Sequence, residues 1–193
     1  MVKLNKIYTR TGDAGTTGLV DGSRIAKSAP LMAAVGDVDE TNSTIGVAAA
    51  VLDAGSEAAA MLLRIQNELF DLGADLATPA DPATGFAPAE MALRIVQSQI
   101  DRLEGEIDAM NDTLSPLSSF ILPGGTEAAA RLHLARAIAR RAERAAVAAG
   151  VERHLNPLAL AYLNRLSDHL FVLARALNAA ADGDILWKPG ATR

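Results

Sequence analysis

The run Tyr8-Thr9-Arg10-Thr11-Gly12-Asp13-Ala14-Gly15-Thr16-Thr17-Gly18 brings glycines, hydroxyls and a guanidinium into one short stretch. Glycine lets a backbone approach a ligand closely, N–H groups and hydroxyls donate to oxygen, and a guanidinium adds charge, a combination suited to phosphate. The run is not a Walker A loop, because the G-x-x-x-x-G-K-[ST] spacing is absent. Nor is it a dinucleotide fingerprint, because no strand precedes a G-x-G-x-x-G. Taken alone, Gly12 to Gly15 reads as an ordinary turn before it reads as a phosphate loop, and Lys27 fits either a surface lysine or a phosphate contact.

A second set of chemistry-bearing residues lies far along the chain. On a helix turning about 100° per residue, Arg136, Arg140 and Glu143 fall within roughly 60° of one another, while Arg131 and Arg141 lie on the far side. That spacing fits a solvated face with i,i+3 and i,i+4 pairs as well as a binding face. Asn164, Asp168, Phe171 and Arg175 form a similar stripe on the next helix. Two facing polar stripes favour a site between helices. His133, His154 and His169 have no metal-ligand spacing and read as structural or surface residues, and no G-x-S-x-G elbow supports serine catalysis.

The elements that must position these groups are helices. Hydrophobic residues make up 50% of the chain while aromatics are only 4%, a balance rich in alanine and leucine that favours an all-α fold. With 193 residues the chain suits one domain, divided here into residues 1–27 as a ligand-ordered segment, 28–182 as a helical bundle and 183–193 as a tail. Helices are expected from Pro30 to about Leu52, from a Ser56 cap to about Leu76, and through a third stretch ending near Met110. Two more run from a Thr126 cap to Gly150, and from Asn156-Pro157 to about Ala180. Leu62, Ile65, Leu69, Leu72 and Leu76 alternate spacings of three and four, the seam of a packed bundle. Thr78 to Pro88 reads as a connection, and Asn111 to Gly125 as a loop presenting Phe120-Ile121-Leu122 between prolines and glycines. The expectation is a five-helix antiparallel bundle.

Charge and composition narrow the function classes. Eighteen Lys and Arg against 23 Asp and Glu give a net charge of −5, which argues against broad nucleic-acid or anionic-membrane binding. The absence of cysteine removes any disulfide framework, and no apolar run has the length of a transmembrane helix, so a cytoplasmic protein is expected.

Four ordered motifs, YTRTGDAGTTGL followed by Lys27, AVGDVDETNSTIG around Asp39, FILPGGTEAAARLHLARAIARRAER, and YLNRLSDHLF, resemble the PduO-type ATP:cob(I)alamin adenosyltransferases over nearly the whole chain. The resemblance implies a homotrimer with ATP and corrinoid sites near subunit interfaces. It implies transfer of the 5′-deoxyadenosyl group of ATP to cob(I)alamin or a related corrinoid, release of triphosphate, and Mg2+ accompanying the nucleotide. Carried over residue by residue, Thr9, Arg10, Thr11, Gly12, Asp13, Gly15, Thr17, Gly18 and Lys27 wrap ATP, and Arg140, Arg141, Glu143, Arg144 and Asn164 complete its site. Asp39 pairs with Arg136, Phe120 lies below the corrin ring with Ile121 and Leu122 beside it, and Arg140 faces the leaving triphosphate. Arg10 stands where some relatives have lysine, which keeps the charge and changes the fork geometry. A flavin reductase and an adenosylcobalamin-dependent mutase are the implied protein partners. The motifs leave the magnesium ligands open, and nothing firm is carried onto the Ile185-Leu186-Trp187-Lys188 tail. Two other readings remain at this point, a corrinoid carrier that delivers cofactor to a mutase and a helical nucleotide-sensing protein.

Overall fold

A computed structural model of the chain describes residues 7–90 and 92–193, so the first six residues of the expected N-terminal segment lie outside the described residues. Five helices follow a short ribbon: α1 Pro30–Ala49, α2 Glu57–Ala77, α3 Gln97–Asn111, α4 Glu127–Glu152 and α5 Pro157–Ala179. The caps act as the sequence predicts. The side chains of Ser56, Thr126 and Asn156 each accept a backbone N–H at the start of their helix, from Ala59, Ala129 and Leu158, and proline occupies the first turn of α1 and α5, where a missing N–H has no consequence.

Leu62, Ile65, Leu69, Leu72 and Leu76 are all buried, as the seam requires. Facing them across the bundle, α4 buries Ala129, Ala135, Ala139, Ala142, Ala146 and Ala149, whose small side chains let α1 and α5 approach closely on either side. Helix α1 packs on α2 and α4, and α5 packs on α4 and α3. Helices alternate in direction along the chain, and most packed pairs are antiparallel. The parallel pair is α3 and α5, where Glu104 meets Arg165 and Glu106 meets His169 in ascending order.

Three local expectations change. Residues 16–26 are not loop throughout: Thr16–Gly18 and Arg24–Ala26 pair as an antiparallel ribbon with Gly18 opposite Arg24, and Leu19 and Ile25 pack against the bundle core. Gly150 does not end α4, which continues to Glu152 and stops at the extended Arg153. The connection before α3 reaches Val96, because the Asp75 carboxylate accepts both the Arg94 guanidinium at 2.7 Å and the Ile95 N–H at 2.9 Å, which holds that backbone outside a helix. Asn156 completes this buried node by donating to Asp75 at 2.7 Å.

A second polar cluster ties α2, α3 and α5. Arg64 pairs with Glu106, Arg102 with Glu68, Tyr162 donates to Glu68 at 2.7 Å, and His169 Nε2 lies 2.8 Å from Glu106. Burial alone would raise the Glu106 carboxyl, but the His169 hydrogen bond and the charges of Arg64, His169 and Arg102 outweigh it and hold the group below its usual range.

Candidate active site

The glycine-rich segment is folded around a residue the motif reading passed over. Arg24 donates from Nη2 to the Thr11 carbonyl at 2.6 Å, the Thr16 carbonyl at 3.1 Å and Thr16 Oγ1 at 2.8 Å. It thereby fastens the turn Thr11 to Gly15 onto the ribbon. Gly15 has φ 80°, a conformation glycine adopts without cost, and its carbonyl accepts the Lys27 N–H at 2.9 Å. A Cβ on Gly12 would lie 3.1 Å from Lys27 Nζ, so glycine at this position is what lets the ammonium sit over the turn. Thr9 and Thr11 hydroxyls bond each other at 2.9 Å, and Arg10 takes φ 62° with its guanidinium over the Tyr8 ring. Thr9, Arg10, Thr11, Asp13 and Gly18 are exposed. The segment is thus a preformed turn with Thr9, Arg10, Thr11 and Asp13 exposed along it and the Lys27 ammonium beside Gly12.

On α4 the expected stripe divides by neighbour. Arg136 and Arg140 stand one turn apart, close enough that burial first and the charge of Arg140 second lower the Arg136 pKa from its ordinary value. Arg144 donates to the Arg140 carbonyl at 3.1 Å. Glu143 accepts from Asn164 at 2.8 Å, so the α4 and α5 stripes do meet there. Arg141 turns to the other flank, where it pairs with Asp37 at 3.2 Å and with Glu40 on α1, away from Arg136 and Arg140. The α5 stripe also separates. Asp168 bonds Arg165 at 3.0 Å on the α3 side, and Arg175 is buried against Asp184 at 3.0 Å and the Ser115 carbonyl at 2.9 Å.

Asp39 and Arg136 are not paired within the chain. Asp39 is exposed at a groove of about 460 Å³ between α1 and α2, whereas Arg136 faces the opposite side of α4. There it lines a cavity of about 500 Å³ together with Phe120, Ile121, Pro123, His133 and Phe171. Phe120, with the Trp187 ring as its aromatic neighbour, is 78% exposed at this cavity, an unusual position for a phenylalanine. Its loop is fixed from α5: Asn178 accepts the Thr126 N–H at 3.0 Å and donates to the Gly124 carbonyl at 3.1 Å. Gly125, at φ 102°, leaves the space that the Asn178 carboxamide fills.

The helical bundle that carries this solvent-facing aromatic, half-buried guanidinium and glycine-hydroxyl turn is matched over residues 7–177 by the family model for cobalamin adenosyltransferase. The chain belongs to the cobalamin adenosyltransferase family. It is 51% identical over 195 residues to a corrinoid adenosyltransferase of Mycobacterium tuberculosis, spanning 100% of this chain and 97% of that protein. Among solved structures it is similar to a phenylalanine-to-alanine variant of the PduO-type ATP:corrinoid adenosyltransferase of Lactobacillus reuteri complexed with cobalamin and ATP. That likeness has a TM-score of 0.84 and 38% identity, over 95% of this chain and 99% of that one. An arginine-to-lysine variant of the same enzyme complexed with ATP superposes with a TM-score of 0.83 at 37% identity, over 94% of this chain and 100% of that one.

In this adenosyltransferase-family chain the histidines divide in a way spacing did not reveal. His133 is 2% exposed, forms a cavity wall against Phe171 with ring centroids 6.2 Å apart, and neither ring nitrogen has a hydrogen-bond partner. Burial first, then the charge of Arg136, depresses its pKa from 6.5, so it stands neutral beside the cavity. Its position three residues before Arg136 was the available signal. His169 is the partner of Glu106, and His154 stacks edge-on to Phe86 at 5.1 Å. Among the described residues no cluster of three or more His, Cys, Asp or Glu side chains is placed to hold a metal, and no helix is long and apolar enough to cross a membrane.

Proposed function

We propose that the chain catalyses adenosyl transfer from ATP to cob(I)alamin or a related corrinoid, giving adenosylcobalamin and triphosphate. The observation that carries this reading is that Phe120 and Arg136 share one cavity, with Arg140 one turn beyond. An apolar wall of Phe120, Ile121, Pro123 and Phe171 and a cationic helix face meet there. In the reaction, the cobalt(I) electron pair attacks the ribose 5′-carbon, a Co–C bond forms, and the C–O pair leaves on the triphosphate. No protein nucleophile or general base is required.

Each group then has a task. Thr9, Arg10, Thr11, Gly12, Asp13, Gly15, Thr17 and Gly18 wrap the nucleotide with Lys27. Arg140 and Arg144 meet the phosphates, and the Glu143–Asn164 pair fixes the wall behind them. Arg140 faces the charge growing on the leaving oxygen, a donor role typically worth about 3–4 kcal/mol. Arg141, carried over by resemblance as a nucleotide contact, also pairs with Asp37 and Glu40 and so holds α4 against α1. Mg2+ would accompany the triphosphate. It keeps most of its waters and takes few protein ligands, so a site offering the Asp13 carboxylate and threonine hydroxyls without a cage suits it.

Phe120, flanked by Ile121 and Leu122, excludes water or a base from the lower face of the corrin. Loss of that ligand favours the four-coordinate state and makes one-electron reduction of cobalt(II), by a flavin reductase, easier. Asp39 and Arg136 complete each other across subunits of a homotrimer. In support, each is without the other inside one chain, and Phe70 beside the Asp39 groove is 73% exposed. Product passes to an adenosylcobalamin-dependent mutase.

The test is an anaerobic reaction of the protein with chemically reduced cobalamin and ATP. The adenosylcobalamin spectrum and triphosphate are expected in equal amounts. Corrinoid binding without triphosphate would make the chain a carrier, and release of orthophosphate or diphosphate would overturn adenosyl transfer.

A further inference from the structure

We propose that residues 185–187 are a clasp that sets the height of Phe120, with Trp187 as the positioning residue; this rests on the reading of Phe120 as the group beneath cobalt. The loop between α3 and α4 contains no helix or strand of its own to fix that ring. Its backbone is instead bonded to the C-terminal tail on both sides of Phe120. The Trp187 N–H donates to the Phe120 carbonyl at 2.8 Å, the Leu122 N–H donates to the Ile185 carbonyl at 2.7 Å, and the Ser119 hydroxyl donates to the Trp187 carbonyl at 2.8 Å. Ile121 and Leu186 face each other as an antiparallel bridge. The loop and tail thus form a minimal two-stranded element whose register is fixed by paired main-chain bonds.

The tail is itself anchored to α5. Asp184 accepts from Arg175 at 3.0 Å and from Asn178 at 3.3 Å, while Arg175 also donates to the Ser115 carbonyl at 2.9 Å. One buried guanidinium therefore joins the start of the loop to the start of the clasp. At the far end the Trp187 ring lies 6.1 Å from the Phe120 ring, tilted by 60°, within the range of a favourable aromatic pair. Trp187 is 44% exposed, so it is placed beside the cavity mouth and not in the core. A ring as exposed as Phe120 has rotamer freedom unless something bears on its flank, and a displacement of about 1 Å at a reacting centre can cost a hundredfold in rate. The Trp187 ring is what bears on it.

The test uses the full chain carrying Trp187→Ala, Trp187→Phe or Ser119→Ala, with Phe120→Ala for comparison. Four-coordinate cob(II)alamin is measured by electron paramagnetic resonance with ATP present, and turnover is measured from cob(II)alamin with a flavin reductant and from cobalamin already reduced to cob(I). Trp187→Ala is expected to lower the four-coordinate signal and cob(II)-dependent turnover by roughly tenfold, to leave ATP affinity and melting temperature unchanged, and to affect the cob(I) reaction far less. Trp187→Phe should restore the signal and Ser119→Ala should fall between. A full four-coordinate signal in Trp187→Ala, or no rescue by Trp187→Phe, overturns the clasp. If Trp187→Ala fails to fold, the Ser119→Ala signal decides in the same way. If the parent protein itself gives no four-coordinate signal, or if Phe120→Ala retains it, the reading of Phe120 fails independently. Trp187 is the sole tryptophan, so quenching of its emission by cobalamin gives a binding readout separate from activity.

Discussion

His133 and Arg136 stand three residues apart on α4 against the same cavity, and neither imidazole nitrogen nor the Arg136 Nε has a hydrogen-bond partner. The guanidinium opposes protonation of the imidazole, as does burial, while Asp184 works weakly the other way. The folded pKa therefore lies below the unfolded value of 6.5. As pH falls below that value the unfolded chain takes up a proton at this position before the folded one does, so stability declines with acidification and is unaffected above it. Urea unfolding at several pH values should show this slope beginning near pH 6.5. His133→Phe should flatten it without loss of stability at neutral pH, because replacing an unpaired buried polar group by an apolar one of similar shape is close to neutral. Glu106 gives a separate decline in more acidic solution, as pH falls below its usual 4.5.

Arg140 has no acidic partner among the described residues, and its role is to meet charge that develops on triphosphate. Arg140→Ala should lower kcat by roughly a hundredfold or more while changing ATP affinity much less, since the interaction strengthens in the transition state. Turnover within about tenfold of the parent would remove it from that role.

Gly125 combines φ 102° with a backbone that a Cβ would drive into the Asn178 carboxamide. Gly125→Ala should destabilise the fold by roughly 2–3 kcal/mol, the sum of a left-handed backbone penalty and a disturbed α4 start. Chemical denaturation checks the size. Asn178→Ala should mimic it, since the same carboxamide serves both Thr126 and Gly124.

Arg94 and Asp75 form an almost fully buried ion pair, with side chains 2% and 0% exposed, and Arg94 also donates to the Thr78 and Pro79 carbonyls at 2.7 and 2.6 Å. Arg94→Met leaves the Asp75 carboxylate buried with only the Ile95 N–H and Asn156 as donors. A loss of about 3–5 kcal/mol is expected, measurable by urea unfolding.

The sequence by itself determined the helices, their caps and the ordered motifs. A 3.6-residue period is a local property, so the leucine seam of α2, the Thr126 and Asn156 caps and the Arg136–Arg140 stripe could be read from neighbours along the chain. The family followed from the same motifs. What periodicity supplies is an angle around a helix axis, and an angle does not say which neighbour fills it. Only tertiary structure sent Arg141 to Asp37 and Glu40, buried His133 beside Phe120, and turned Arg24 inward to bind the glycine turn. It also decided where α3 begins, because Asp75 captures Arg94 and Ile95 from a helix away. The tail around Trp187 carried no local signal at all. Its meaning lies in main-chain bonds to Phe120 and Leu122, more than sixty residues earlier in the chain, and hydrogen bonds between backbone atoms leave almost no mark on residue type.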